Sequence, residues 1–243
     1  MILKRKIYKK LLEWKKECQG KKALLIEGAR RIGKSTICEE FGKSEYKSFL
    51  LIDFAKKDKE VEGYFEKYLN DLDTFFMLLQ THFGKKLTER NSLIIFDEVQ
   101  MFPQARAAIK YLVADGRYDY IETGSLISIR ENVKNIVIPS EERHINMYPL
   151  DFEEFAIALE EDLLVEYIKK CFEKREPLER SMHNQAMLLF HQYMLVGGMP
   201  MPVVTFIESK KDFTEADREK RDILKLYRED IMKIDAKYRS KVL

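Results

Sequence analysis

The sequence predicts an α/β protein: a three-layer αβα core built on a parallel sheet, followed by a helical C-terminal part. Three observations carry this. Ala23-Leu24-Leu25-Ile26 is a short apolar run of the buried-strand type, and it passes through a glycine loop into a helical stretch, Thr36-Ile37-Cys38-Glu39-Glu40-Phe41. Ser92-Leu93-Ile94-Ile95-Phe96 is a second apolar run, and it ends abruptly in Asp97-Glu98. After Tyr148 no strand run of comparable quality follows, and helical periodicity takes over. The expected division is a core over residues 1–150 and a helical lid over residues 151–243.

The glycine loop is Gly28-Ala29-Arg30-Arg31-Ile32-Gly33-Lys34-Ser35, which fits G-x-x-x-x-G-K-[ST], the phosphate-binding P-loop, in the strand–loop–helix context it needs. Gly28 and Gly33 let the backbone through Ala29, Arg30, Arg31 and Ile32 curl so that its N–H groups point inward at phosphate oxygens. The helix starting near Gly33 adds the positive end of its dipole. Lys34 is placed to reach the β- and γ-phosphates, and the Ser35 hydroxyl to ligate Mg²⁺. Thr36 is the alternative hydroxyl, but the motif spacing selects Ser35. Asp97, at the end of its strand, would hold Mg²⁺ directly or through water. Glu98 beside it would polarise an attacking water. The ligands implied are ATP and Mg²⁺; no Asn-Lys-x-Asp motif for reading guanine occurs.

Taken in order, residues 4–18 form a basic amphipathic helix with Ile7, Leu11 and Trp14 on one face. That helix is either a phosphate- or nucleic-acid-binding face or a solvated helix packed beside the first strand. A strand is expected from Ser48 to Phe54, then helices over residues 58–69 and 71–83, with Gly84 as a C-cap. Asp53 ends its strand where ligands gather in α/β sheets, or caps the next turn, and receives no role. Pro103 opens a helix to about Ala114. Tyr118 to Glu122 is the next strand, ending in Thr123-Gly124-Ser125. A hydroxyl of Thr123 or Ser125 would there face the γ-phosphate, although a plain glycine turn explains the same pattern. Ser128 to Glu142 reads as a mobile or partly extended loop, and Arg143 to Tyr148 as a fifth strand. Asp151 is an N-cap, and helices follow to about Lys174, over residues 181–196, and over residues 215–240. In the last of these Ile223, Tyr227, Ile231, Ile234 and Tyr238 form an apolar stripe, expected to fold back across the lid, with self-association as the second choice. The chain stops at Leu243 without a cap or polar tail, so either the natural protein continues or the stripe meets a partner.

Composition narrows the class. Hydrophobic residues at 45% suffice for a core, and a net charge of +2 argues neither for nor against nucleic acid. Cys18, Cys38 and Cys171 are scattered and odd in number, which suits reduced thiols in the cytoplasm. The four histidines have no ligand spacing, and no apolar run approaches membrane-spanning length.

Together these motifs resemble the prokaryotic AAA-type P-loop ATPases that carry a nuclease-like C-terminal domain of unknown function. The resemblance rests on Gly28 to Ser35, on Phe96-Asp97-Glu98-Val99-Gln100 and on Thr123-Gly124-Ser125-Leu126. It also rests on Tyr148-Pro149-Leu150-Asp151-Phe152-Glu153-Glu154-Phe155 and on Val196-Gly197-Gly198-Met199-Pro200. It implies a P-loop NTPase core, then over residues 151–243 a helical or winged-helix lid and the start of a truncated C-terminal domain, which would continue beyond residue 243 and through which DNA or a protein partner would act. It also implies that Pro200 approaches the base, as in the Gly-x-Pro turn of related signalling ATPases, although a helix-breaking turn explains it too. The chain departs from the family at Ser140-Glu141-Glu142-Arg143, where no glycine precedes the basic residue, so Arg143 is not assigned as an arginine finger. The expected function is a Mg²⁺-dependent ATPase that couples nucleotide state to lid movement, with oligomerisation left open. The alternative is a nucleotide-dependent switch or scaffold with negligible turnover; a small-molecule kinase is a third, weaker reading.

Overall fold

The structure is a computed structural model and describes residues 1–125 and 140–234. It forms two compact units: Ile7–Tyr148, and Met1–Lys6 together with the chain from Pro149 onward.

The first unit holds a five-stranded sheet of β1 (Ala23–Gly28), β2 (Ser48–Asp53), β3 (Ser92–Asp97), β4 (Asp119–Ser125) and β5 (Glu142–Asn146), in the order β2-β3-β4-β1-β5. Every strand pair is parallel. Parallel neighbours require crossover connections, and these are α2 (Lys34–Glu45), α3 (Lys59–Lys67), α4 (Leu72–Phe83) and α5 (Pro103–Asp115); α1 (Ile7–Cys18) precedes the sheet. Helices on both faces explain why β3 is buried at every position and reads as a continuous apolar run. The chain leaves β1 for β2 at the far edge, whereas β5 lies on the other side of β1. The strand order therefore reverses at β1, and the crevice for a ligand opens at its carboxyl end.

Strand periodicity sorts the core into two layers. Ala23, Leu25, Leu50, Ile52, Ile94 and Phe96 pack against Val61 and Phe65 of α3, Phe75 and Leu79 of α4, and Ile109 and Leu112 of α5. On the opposite face α1 meets α2, with Trp14 and Tyr8 against Phe41 at ring separations of 6.5 and 5.5 Å. Burying each such side chain contributes about 1.5–3 kcal/mol. The helix ends follow local chemistry. Asp58 and Asp71 accept from the first-turn amides of α3 and α4, Pro103 opens α5, and Gly84 closes α4 in the left-handed conformation.

Several boundaries differ from the sequence reading. The basic helix begins at Ile7 rather than at residue 4, because Arg5 and Lys6 belong to the other unit. Thr123, Gly124 and Ser125 continue β4 in register with Ile26, Glu27 and Gly28 instead of forming a turn. β5 runs from Glu142 to Asn146, earlier than expected, since the Glu142 side chain is buried against an arginine of α5. The expected loop over 128–142 falls mostly outside the described residues, as does Leu126.

The regular elements among the second unit's described residues are all helices: α6 (Phe152–Ala158), α7 (Asp162–Lys174), α8 (Arg180–Val196), α9 (Pro200–Glu208) and α10 (Phe213–Ile234). The winged-helix alternative therefore finds no strand among them. Asp151 and Glu154 form a reciprocal capping box at α6. Lys6 adds to that corner through its backbone N–H on Glu154 Oε1 (2.6 Å) and its Nζ on Asp151 (2.6 Å). Leu150 donates its N–H to the Gly198 carbonyl at 2.7 Å, and the Tyr193 hydroxyl donates to the Leu150 carbonyl at 2.9 Å. The core here is Phe155, Leu164, Leu189, Val203, Phe206 and Ala216. α10 lies back on α9, with Phe213 against Phe206 at 4.9 Å and Ile223 buried. Tyr227 is half-buried. The side chains of Ile231 and Ile234, and all of Tyr238, lie outside the described residues.

Candidate nucleotide-binding site

At the carboxyl end of β1 the chain turns through Ala29, Arg30 and Arg31, all exposed, and is anchored by the fully buried Ile32. Gly33 adopts φ 89° and ψ 27° at the start of α2, a left-handed conformation that glycine enters without Cβ strain. Gly28 is required for a different reason: a Cβ there would lie 2.4 Å from the Met147 carbonyl oxygen and 2.6 Å from Ile32 Cδ1. The loop is thus closed against the chain that follows β5.

Lys34, at the first turn of α2, is 5% exposed. Its Nζ donates to the carbonyl oxygens of Gly28 (3.1 Å) and Ala29 (2.8 Å), which draws the ammonium over the loop. Burial pushes its pKa down, and the charges of Glu98 and Asp97 oppose that shift. Ser35 donates its hydroxyl to Asp97 Oδ1 at 2.9 Å, joining the glycine loop to the end of β3. The fully buried Thr123 on β4 donates to the same Asp97 oxygen, and its own oxygen accepts the Glu98 N–H at 3.3 Å. Glu98 itself sits at φ 52° and ψ 45°, a left-handed backbone unusual for a residue with a side chain.

Lys34, Ser35, Asp97, Glu98 and Thr123 are therefore linked through three neighbouring strand ends. Ser125 is buried at the tip of β4, paired in register with Gly28. Thr36 is exposed on α2. Pro200 stands at the first position of α9, in the other unit. Asp53 caps the short turn after β2 by accepting from Ala55 N at 3.0 Å. Arg143 pairs with Glu17 at 2.5 Å.

The donor set suits Mg²⁺: a hydroxyl and a carboxylate, both hard oxygen donors, face each other at hydrogen-bond distance. Among the described residues no group of three or more histidine, cysteine, aspartate or glutamate side chains could hold a metal by itself.

Two contacts could not be read from the sequence, although Gln100 itself closes the Phe96–Gln100 block that carries the resemblance. Gln100 donates its side-chain amide to Glu98 Oε2 from a buried position in the short 3₁₀ turn Val99–Met101. Arg106 of α5, 2% exposed, holds Glu142 with two hydrogen bonds of 3.1 and 2.8 Å, beside the fully buried Glu122. The block shows that Gln100 belongs to a motif but not what its side chain reaches, and an arginine in a helix reads as a surface residue by default.

Fold and loop geometry together define a P-loop nucleotide-binding protein. Residues 20–156, more than half of the 243, match the model of the AAA domain family, and the chain belongs to that family. No curated protein matches the chain. Among solved structures, C. elegans PCH-2 is similar at 12% identity and a TM-score of 0.43, covering 89% of this chain and 65% of that one. The Aeropyrum pernix ORC1 protein, solved in complex with DNA, is similar at 9% identity and a TM-score of 0.39, covering 81% of this chain and 68% of that one. The chain thus spans less than two thirds of the length of PCH-2.

Proposed function

We propose that the chain binds ATP with Mg²⁺ at Gly28–Ser35 and hydrolyses it, using Glu98 as general base. The observation that carries this reading is the shared Asp97 oxygen, which takes hydrogen bonds from Ser35 and Thr123 while Glu98 is fixed beside it. Lys34 exchanges its two carbonyl partners for phosphate oxygens, which are stronger, charged acceptors. The amides of residues 29–34 surround the phosphates. Ser35 and Asp97 would hold Mg²⁺, which when bound neutralises charge on the phosphate oxygens. Glu98 accepts a proton from the attacking water, and Thr123 and Ser125 present hydroxyls to the γ-phosphate side. Catalysis of this kind is positioning and charge neutralisation. Pro200 would approach the base, and nucleotide state would move the helical unit as a lid.

The second reading is a nucleotide-dependent switch with negligible turnover. It is favoured by Arg143, whose guanidinium is engaged by Glu17 at 2.5 Å instead of being held for service as an arginine finger. DNA or protein partners, acting through a domain beyond residue 243, and assembly into an oligomer belong to the same proposal. A cytoplasmic setting is supported by three free cysteines. No described helix is long and apolar enough to cross a membrane.

Turnover and nucleotide titration with purified protein, with and without DNA, test the reading. Lys34→Ala should lose most ATP affinity with its circular dichroism unchanged. Glu98→Gln should keep ATP affinity and lower kcat by roughly 10²-fold or more. Undiminished ATP binding by Lys34→Ala sinks the site; wild-type turnover by Glu98→Gln sinks the base.

A further inference from the structure

We infer that Gln100 is a positioning residue for Glu98: its side-chain amide fixes one oxygen of the Glu98 carboxylate and leaves the other to take the proton of the attacking water. The inference rests on the reading of Glu98 as the base.

The turn that carries Gln100 is closed by backbone hydrogen bonds. Met101 N–H donates to the Glu98 carbonyl at 2.8 Å, and Phe102 N–H to the Val99 carbonyl at 3.2 Å. Val99 and Phe102 are buried on either side, and the Phe102 ring stacks on Phe54 at 5.3 Å and meets Phe65 at 5.7 Å. The backbone and its apolar anchors thus hold the turn, which places the Gln100 amide beside Glu98. What the amide does reach is Glu98 Oε2.

Glu98 needs such a partner. Its backbone is held by the N–H bond to Thr123 and by its left-handed conformation, but a glutamate side chain still has three torsions to settle. A base that wanders by about 1 Å can lose roughly 10²-fold in rate. A neutral amide suits the task because it orients a carboxylate without cancelling its charge, which an arginine or lysine would do. Gln100 is only 6% exposed, so the bond is shielded from competing water.

The test is a double-mutant cycle on the full chain, with turnover and ATP affinity measured on each member. Gln100→Ala should lower kcat by roughly 10- to 100-fold while KM and ATP affinity stay within two-fold of wild type. Gln100→Met, which keeps the volume and removes the donor, should behave alike and guards against a packing artefact. In the Glu98→Gln background, Gln100→Ala should add no further loss, because the group it positions is already gone. The inference is overturned if Gln100→Ala costs the same factor in both backgrounds, or if ATP affinity falls in step with kcat. Wild-type turnover in Gln100→Ala beside an inactive Glu98→Gln overturns this inference alone. Wild-type turnover in Glu98→Gln refutes the base assignment, and this inference with it.

Discussion

Replacing Glu122 by glutamine should stabilise the protein, and by an amount that grows with pH. Glu122 points from β4 to the same face of the sheet as Leu25, its neighbour in register, and is 0% exposed. The groups facing it are Glu142 and His144 of β5, Glu27 of β1 and Arg106 of α5, with His144 Nε2 3.1 Å from Glu142 Oε2. Burial raises the Glu122 pKa well above its ordinary value, the negative charge of Glu142 raises it further, and Arg106 opposes the shift. Glu122 therefore enters the fold carrying its proton, whereas in the unfolded chain it ionises above about pH 4.3. Its folded pKa is the higher one, so its contribution to stability is complete below the unfolded pKa and is lost as pH rises toward the folded pKa. Over that window wild type loses about 1.4 kcal/mol per pH unit from this group, and Glu122→Gln, neutral throughout, loses none. The two proteins should be close in stability near pH 4.5 and separate progressively, in favour of Glu122→Gln, as pH rises above that. Urea unfolding of both at pH 5, 6, 7 and 8 measures the difference, and titrations common to both cancel. A difference that does not change with pH, or a variant weaker at every pH, would show that Glu122 is ionised in the fold and would refute the reasoning.

Three further outcomes are expected. Gly198→Ala would place a Cβ 2.1 Å from the Leu150 carbonyl oxygen, so the Leu150–Gly198 hydrogen bond must break. The loss should be about 1–3 kcal/mol for the bond alone, with strain in addition, read as a lower midpoint in chemical denaturation. α10 should exchange its amide protons slowly from Ala216 to Ile223 in a monomeric sample, since both residues are buried on the helical unit; protection that vanishes on dilution would mean that a second copy supplies the cover. Any DNA binding should run through the exposed Lys9, Lys10, Lys16, Lys21 and Lys22 and be weak. Its log K should fall with log salt by about 0.9 per phosphate contact, and tight, salt-insensitive, sequence-selective binding would contradict this.

The parts of this fold that are legible in the sequence are those where one local rule decides the outcome. β1 and β3 are buried on both faces, so their apolar runs are unbroken, and the glycine loop between β1 and α2 has fixed spacing. Asp58, Asp71 and Asp151 cap helices through their own side chains, a rule that operates within three residues. What escapes notice depends on distant partners. Glu142 looks like loop until Arg106, thirty-six positions away, is seen to neutralise it inside the core. Gly124 suggests a turn, yet pairing with β1 carries the strand through it. Arg5 and Lys6 look like the start of a basic helix, but Glu154, Asp151 and Glu153 claim them for the other unit. The motif residues of the site could be named from spacing. Their convergence on a single oxygen of Asp97, and the reach of Gln100 to Glu98, depend on where three strands end.

The packing of α1 on α2 gives the protein its own optical probe. Trp14 is the chain's single tryptophan, 1% exposed, with Nε1–H on the Lys22 carbonyl at 2.9 Å just before β1 begins. Its ring lies 6.5 Å from Phe41, on the same helix that opens with Lys34. Indole emission thus comes from one known place, walled by the helix and the strand that bracket the glycine loop. A shift of α2 as the loop closes on phosphate would alter the ring's surroundings before any product is formed. Binding could then be followed in real time with unlabelled protein and unlabelled nucleotide, separately from hydrolysis.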